Sequence, residues 1–344
     1  PWLTGQAIDF IEQAEGPWCA HVSFIKQHWP YIVPEPYHDI FGDNHVPAAT
    51  RHNDERADPH PIYEAFMDSR IGAAFQQDEV RRKVIPAYMG LIKQCDDQLG
   101  RLLDHLEATD RLKDTMIVIT SDHGDYLGDH WLGEKDLFHD PSVKVPMIIY
   151  DPRPEAEATR GSVCNALVEA IDLVPTFVDA AGGEVADNIL EGRSLIPWLH
   201  GERPEWRDYA ISEYDYSATP HAERLGVDPK DCRLFMVFDG RYKLMHAEGG
   251  FRPMLFDLAD DPDEFIDLAK GESHAAEIAR LYEHLRAWAL RCGQRVTMSD
   301  KAIRTMRGRS LRRGILPFLV DGTEVPDDLT EKYRGPSPKR FVGE

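Results

Sequence analysis

No stretch of this chain approaches the roughly 18 consecutive apolar residues that a bilayer-spanning helix requires, so a membrane partner is not expected. No Cys-x-x-Cys pair is present either. The five cysteines (Cys19, Cys95, Cys164, Cys232 and Cys292) are widely spaced and odd in number. They give no basis for a zinc knuckle or a disulfide framework, and they fit reduced thiols in a cytoplasmic protein. Positive charge is scarce. With 39 Lys and Arg against 60 Asp and Glu, the net charge is −21. A polyanion is repelled by such a surface, so nucleic acid is not an expected partner. The chain also lacks a recognisable start: it opens at Pro1 with no methionine and no signal-peptide pattern. Leu3–Glu12 already reads as a helix, with a possible cap at Thr4 and apolar residues at Ala7, Ile8 and Ile11. The chain thus looks entered midway, and residues are expected upstream.

What is present is an ordinary globular composition, 42% hydrophobic and 29% charged, over 344 residues. That length suffices for one large domain and a smaller one. The organising stretch is Thr115-Met-Ile-Val-Ile-Thr120, a short buried strand, followed at once by Ser121-Asp122-His123-Gly124. In open α/β sheets, sites lie at the carboxyl ends of strands, which is where Asp122 and His123 stand. A carboxylate beside an imidazole can be a metal-ligand pair, or an Asx-turn with a hydrogen-bonded histidine. A second strand candidate, Trp18–Ile25, ends in Lys26-Gln-His-Trp-Pro-Tyr31. By the same logic His28 could face the same cleft, or it could simply bond a backbone carbonyl.

Residues 34–61 are rich in Pro, His, Asn and Asp without periodicity, and read as a long functional or mobile loop. Its histidines, His38, His45, His52 and His60, are irregularly spaced and read as solvated. From Val84 to Leu106 apolar residues recur at helical spacing, with Asp96 and Asp97 expected to be exposed. Val143–Tyr150 reads as another strand, and 162–181 as a helix ending at Gly182-Gly183. This alternation argues for a parallel or mixed sheet flanked by helices over residues 1–204. Beyond it, Tyr209–Glu213, Leu234–Phe238, Tyr242–His246 and Met254–Leu258 read as strands, with Asp239-Gly240 as a hairpin turn. The helix Ala275–Leu290 closes an antiparallel α+β subdomain over 205–295. The remainder, 296–344, is an arm with six basic residues within 301–313 and an apolar run at 314–320. Such an arm is expected to embrace the body or a sister subunit, making a homo-oligomer.

Taken in order, several segments resemble the sulfatase branch of the alkaline-phosphatase superfamily, especially the bacterial phosphonate monoester hydrolase type. They are Gln27-His28-Trp-Pro-Tyr31, Ser121-Asp-His-Gly124, Gly128-Asp-His130 running on to Lys135, Asp172-Leu-Val-Pro-Thr176, Glu191-Gly-Arg-Ser-Leu195, Leu255–Pro262 and Arg312-Arg-Gly-Ile315. The resemblance covers nearly the whole chain. It implies an α/β fold, a mixed and mostly parallel sheet sandwiched by helices with its N-terminal part missing, plus the smaller antiparallel subdomain. It also implies hydrolysis of a small anionic ester of sulfate, phosphate or phosphonate with one divalent metal, held in part by Asp122 and His123. An imidazole ligand favours Mn²⁺, with Zn²⁺, Fe²⁺ or Ca²⁺ as alternatives. Lys135 and His28 would hold the ester oxygens, and His28, an imidazole, would be the better general acid.

The departure from the family is equally informative. Its nucleophile is a formylglycine made within Cys/Ser-x-Pro-x-Arg, and no cysteine, serine or threonine here fits that pattern. Formylglycine and the remaining aspartate ligands are therefore expected upstream, with this chain alone inactive. A non-catalytic binding or assembly module on the same fold is the alternative. A phosphomutase-type member of the same superfamily is a weaker reading, because the two metals and additional histidine ligands it implies are not assembled from this sequence.

Overall fold

The computed structural model describes residues 1–291. The basic arm from 296, including Arg312-Arg-Gly-Ile315, lies outside the described residues. The chain opens with the helix Trp2–Gln13, whose buried stripe is Thr4, Ala7 and Ile11. That i, i+3, i+7 spacing lays one face against the long helix that follows. Thr4 is not its cap. The helix begins at Trp2, so Thr4 sits inside the first turn with its side chain fully buried.

Trp18–Ile25 joins no ladder. Its apolar sequence suits a strand, but a strand also needs a neighbour for its backbone N–H and C=O groups, and the described residues offer none. The helix predicted over 84–106 is longer than its periodicity, spanning Asp78–Ala108 with Asp78 and Glu79 in the first turn, where they complement the helix dipole. It delivers the chain to β1 (Ile117–Thr120), which pairs with β2 (Met147–Tyr150). The pairing is antiparallel, Ile117 opposite Tyr150 and Thr120 opposite Met147. The expected mostly parallel arrangement is thus represented, among the described residues, by one antiparallel pair. The reason is local: the chain between β1 and β2 holds loops and the one-turn helix Asp140–Val143, with no crossover helix to reverse direction. The 162–181 segment is helical only over Leu173–Ala180, after a short 3₁₀ turn.

The second sheet is antiparallel in the order β3 (Ala210–Asp215), β4 (Arg233–Phe238), β5 (Tyr242–Ala247) and β6 (Met254–Asp257). Asp239 makes the hairpin turn, its carboxylate accepting from the N–H groups of Arg241 and Tyr242. Gly240 supplies the φ of 93° that the turn requires. Side chains alternate between the two faces of this sheet. Phe235, Val237, Leu244 and Leu255 pack on Leu281 and Leu285 of the helix Ala275–Arg291. Leu234, Met236, Met245, Met254 and Phe256 pack on the helix Pro61–Met67 and on Tyr126, Leu132, Leu137 and Phe138. Those last four belong to the loop after β1, so the sheet is the floor on which that loop is built. Among the described residues no helix is long and apolar enough to cross a membrane.

Candidate functional site

β1 ends at Thr120, and the polar residues that follow are fixed by short hydrogen bonds. Ser121 Oγ donates to the His123 carbonyl at 2.7 Å, and Asp122 Oδ1 accepts from the His123 N–H at 3.0 Å. Gly124 N–H donates to the Ser142 carbonyl at 2.7 Å. A Cβ on Gly124 would lie 1.9 Å from the Pro141 carbonyl oxygen, so only glycine permits this approach.

His123 Nδ1–H donates to the Gly124 carbonyl at 2.8 Å, leaving the Nε2 lone pair outward. Nε2 stands 3.5 Å from Asp122 Oδ2, and the Asp122 side chain is 85% exposed. Two metal–ligand bonds of about 2.1 Å opened to the tetrahedral angle span about 3.4 Å, so the pair fits two vertices of one coordination sphere. One imidazole and one carboxylate suit Mn²⁺, Zn²⁺ or Fe²⁺ better than Ca²⁺. Partial desolvation pulls the Asp122 carboxyl up. The His123 imidazole and the local N–H groups outweigh it, leaving the group below the usual carboxylate range. Among the described residues no cluster of three or more His, Cys, Asp or Glu could hold a metal.

His28 and Lys135, 107 residues apart, meet with Lys135 Nζ 3.1 Å from His28 Nε2. His28 Nδ1–H donates to the Trp29 carbonyl at 2.8 Å, so Nε2 accepts from the ammonium. The loop carrying His28 is tied to the long helix, whose Cys95 Sγ–H donates to the Lys26 carbonyl. Glu134 links the two pairs electrostatically, since its carboxyl feels Lys135, His28 and His123. Burial nevertheless sets its direction, upward, with Asp136 adding to it.

Lys135 sits in an unusual backbone. Leu127, His130, Trp131, Glu134 and Asp136 all have positive φ, between 46° and 93°. Five non-glycine residues in that region within ten positions are strained, and persist only because the surroundings hold them. The holders are visible. His130 is buried, donates its N–H to the Thr50 carbonyl, and pairs through Nδ1 with Glu55 at 2.7 Å. Its ring stacks on that of His139 at 3.8 Å, and Tyr126 Oη bonds His139 Nδ1. Burial holds the His139 imidazole well below its ordinary pKa, neutral, with His130 and Lys243 reinforcing this.

Composition and spacing did not single out Asp125, Tyr31 or Glu134. Tyr31 Oη–H donates to Asp125 Oδ2 at 3.0 Å, and Leu127 N–H donates to Asp125 Oδ1 at 3.1 Å. Burial pushes the Asp125 carboxyl up to about 6, despite those two donors. The available signal was proximity: Tyr31 lies three residues after His28 and Asp125 two after His123. His38, His45 and His52 are exposed, as expected of a solvated loop. His60 is not. It is buried, caps the helix Pro61–Met67 by accepting from Ile62 N–H, and bonds the Arg252 carbonyl. Of the aspartates in the long helix, Asp97 is engaged by Tyr37 and Lys93. The segments around Asp172 and Arg193 join structurally. Asp172 Oδ1 accepts from Arg193 N–H at 2.7 Å, and Leu195 N–H donates to Thr176 Oγ1 at 2.9 Å.

Residues 3–183 match the family model described as sulfatase, and 128–290 match that for the C-terminal part of N-sulphoglucosamine sulphohydrolase. The multifunctional alkaline phosphatase superfamily protein PehA of Trinickia caryophylli is 31% identical over 84% of this chain and 59% of its own length. An arylsulfatase of Clostridium perfringens is 27% identical over 80% of this chain and 55% of its own. The crystal structure of the phosphonate monoester hydrolase of Agrobacterium radiobacter superposes with a TM-score of 0.76 at 33% identity. It covers 88% of this chain and 63% of that one. The chain therefore spans less than two thirds of the length of these relatives.

Proposed function

Because the chain belongs to the sulfatase family of the alkaline-phosphatase superfamily, we propose that it contributes the Asp122–His123 and His28–Lys135 parts of a metal-dependent hydrolase of sulfate, phosphate or phosphonate esters. The observation that carries this reading is the Lys135–His28 contact of 3.1 Å, set in the same electrostatic neighbourhood as the Asp122–His123 pair.

Asp122 Oδ2 and His123 Nε2 are the atoms that would hold one divalent metal, Mn²⁺ being the best match to the donor set. When bound, that metal supplies Lewis acidity toward the ester oxygens. Lys135 brings three N–H donors and one present acceptor, His28 Nε2. An anionic ester entering the cleft offers stronger acceptors, and the ammonium turns to them. His28, held by its Nδ1–H bond to Trp29, is then free at Nε2 to take a proton from solvent water and pass it to the leaving oxygen. The nucleophile and the other ligands would come from polypeptide beyond these 344 residues. Trp2, Ile25, Ile148 and Val163 are each more than half exposed and provide apolar surface for such polypeptide to cover.

The test is turnover of aryl sulfate and aryl phosphonate esters with Mn²⁺. Residues 1–344 alone are expected to give none, and an enzyme that includes the upstream residues to hydrolyse both. In that enzyme Asp122→Ala should lose metal and activity together. Lys135→Ala should keep metal while kcat falls by about 10²–10³, the usual cost of one charge-stabilising donor. Turnover by residues 1–344 would overturn the placement of the nucleophile, and full metal binding by Asp122→Ala would overturn the site. The Asp122–His123 pair also fits an assembly module on the same fold, which would stay inactive even when joined to the upstream residues.

A further inference from the structure

The loop Lys26–Tyr31 carries His28 but has no regular structure of its own. Its internal bonds are short-range: Lys26 Nζ to the Pro30 carbonyl, His28 N–H to the Ile25 carbonyl, and Ile32 N–H to the Pro30 carbonyl. Such bonds shape the loop without saying where it sits. Its position is set by side-chain bonds to distant residues, namely Cys95 to the Lys26 carbonyl, Lys135 to His28, and Tyr31 to Asp125.

The last of these reaches nearest in sequence to the Asp122–His123 pair. Asp125 lies two residues after His123, and its bond to Tyr31 spans 94 residues of sequence. Asp125 is itself oriented, because its second oxygen accepts from Leu127 N–H at 3.1 Å, at a residue held in the left-handed region. The Tyr31 ring is wedged edge-on between Phe75 and Tyr88, with centroid separations of 6.5 and 6.2 Å. Burial and the adjacent Asp125 hold the phenol far above its ordinary pKa, so it stays a donor throughout the working range.

We propose that Tyr31 and Asp125 are positioning residues, a latch that fixes the His28 loop in register with the Asp122–His123 loop and thereby sets the His28–Lys135 contact. The latch rests on the proposed function for its catalytic consequence, but not for its geometry. Neither residue needs to touch substrate. With the latch open, the ring of Tyr31 still fills its slot while the loop loses its bond to Asp125, leaving Lys135–His28 without that support. A displacement of about 1 Å in a catalytic group costs about 10²-fold in rate.

The test uses Tyr31→Phe, which removes only the hydroxyl, with Asp125→Asn as a second variant that keeps the shape. In the complete enzyme, Tyr31→Phe should retain metal content and melting temperature. Its kcat on an aryl phosphonate ester should fall about 10- to 100-fold, with KM little changed. The deciding measurement is the cycle with His28→Ala. If Tyr31 acts through His28, adding Tyr31→Phe to His28→Ala costs nothing further, whereas a merely structural role makes the losses multiply. In parallel, ¹⁵N NMR of residues 1–344 reads the His28 Nε2 shift, which reports the Lys135 bond with no need for turnover. An unchanged His28 signal in Tyr31→Phe, or multiplicative losses in the cycle, would overturn the latch. A complete enzyme that hydrolyses neither ester would overturn the functional reading alone, and the NMR result would still decide the latch.

Discussion

Lys243 offers the sharpest test of how the site loop is held to the second sheet. Its side chain is 2% exposed, and its ammonium lies 2.7 Å from Asp140 Oδ1 and 2.7 Å from Glu264 Oε1. Glu264 is equally buried, and its other oxygen accepts from Asp140 N–H at 2.7 Å. Each 2.7 Å contact is worth about 6 kcal/mol of Coulomb energy at an effective dielectric constant near 20, most of it offset by desolvation of the ions. Removing one partner does not remove that desolvation. Lys243→Met therefore leaves a buried carboxylate without its cation, and should cost about 3–5 kcal/mol near pH 8.

The sign of the pH dependence follows from Glu264. Burial already raises its carboxyl above the ordinary value, with Lys243 the chief opposing influence. In Lys243→Met that opposition is gone and the folded-state pKa rises further. The folded state then binds the extra proton, so stability is greatest below the unfolded pKa, about 4.3, and falls as pH rises toward the folded value. Because the parent's Glu264 is itself raised, the penalty should shrink by about 1.4 kcal/mol for each pH unit lowered between the variant's folded-state value and the parent's. Urea unfolding at pH 5.5 and pH 8, followed by tryptophan fluorescence, measures both quantities. Lys243→Met/Glu264→Gln carries no buried charge at this position and should recover most of the loss. A cost below about 1 kcal/mol at pH 8, or a cost independent of pH, would refute the reasoning.

Arg207→Ala should cost about 3–5 kcal/mol in the same urea assay, because it strips the guanidinium from the fully buried Asp172. Arg207→Lys should recover only part of that, since one ammonium cannot reproduce a two-nitrogen contact with both carboxylate oxygens. Gly124→Ala must move the Pro141 carbonyl, and should cost about 1–3 kcal/mol. It should also weaken Mn²⁺ binding in the complete enzyme, measured by calorimetry, because the displaced backbone carries the carbonyl that orients His123.

The elements legible in the sequence are those whose signal is local. The long helix announces itself by 3.6-residue periodicity, and β4–β5 by apolar runs on either side of Asp239-Gly240. Asp122 and His123 were legible as a polar break at a strand end, and the ordered motifs placed His28 and Lys135 in one site. What the sequence left open depended on partners. Trp18–Ile25 has strand composition but no ladder. The isolated β1–β2 pair runs antiparallel because the chain between the two strands forms no crossover. His60 reads as one of four loop histidines until the helix it caps and the Arg252 carbonyl are in place.

By itself the sequence carried the family, through the resemblance of its ordered motifs, and most of its helices and strands, through local periodicity; it also marked four candidate residues. Only the tertiary structure decided which atoms of those residues face one another. The His123 tautomer depends on the Gly124 carbonyl, and the accepting role of His28 Nε2 on the ammonium of Lys135. The bonds from Tyr31 to Asp125 and from Lys243 to Asp140 each join residues about 100 positions apart. Contacts at that separation leave no periodicity in the chain, because they are set by how packed faces meet.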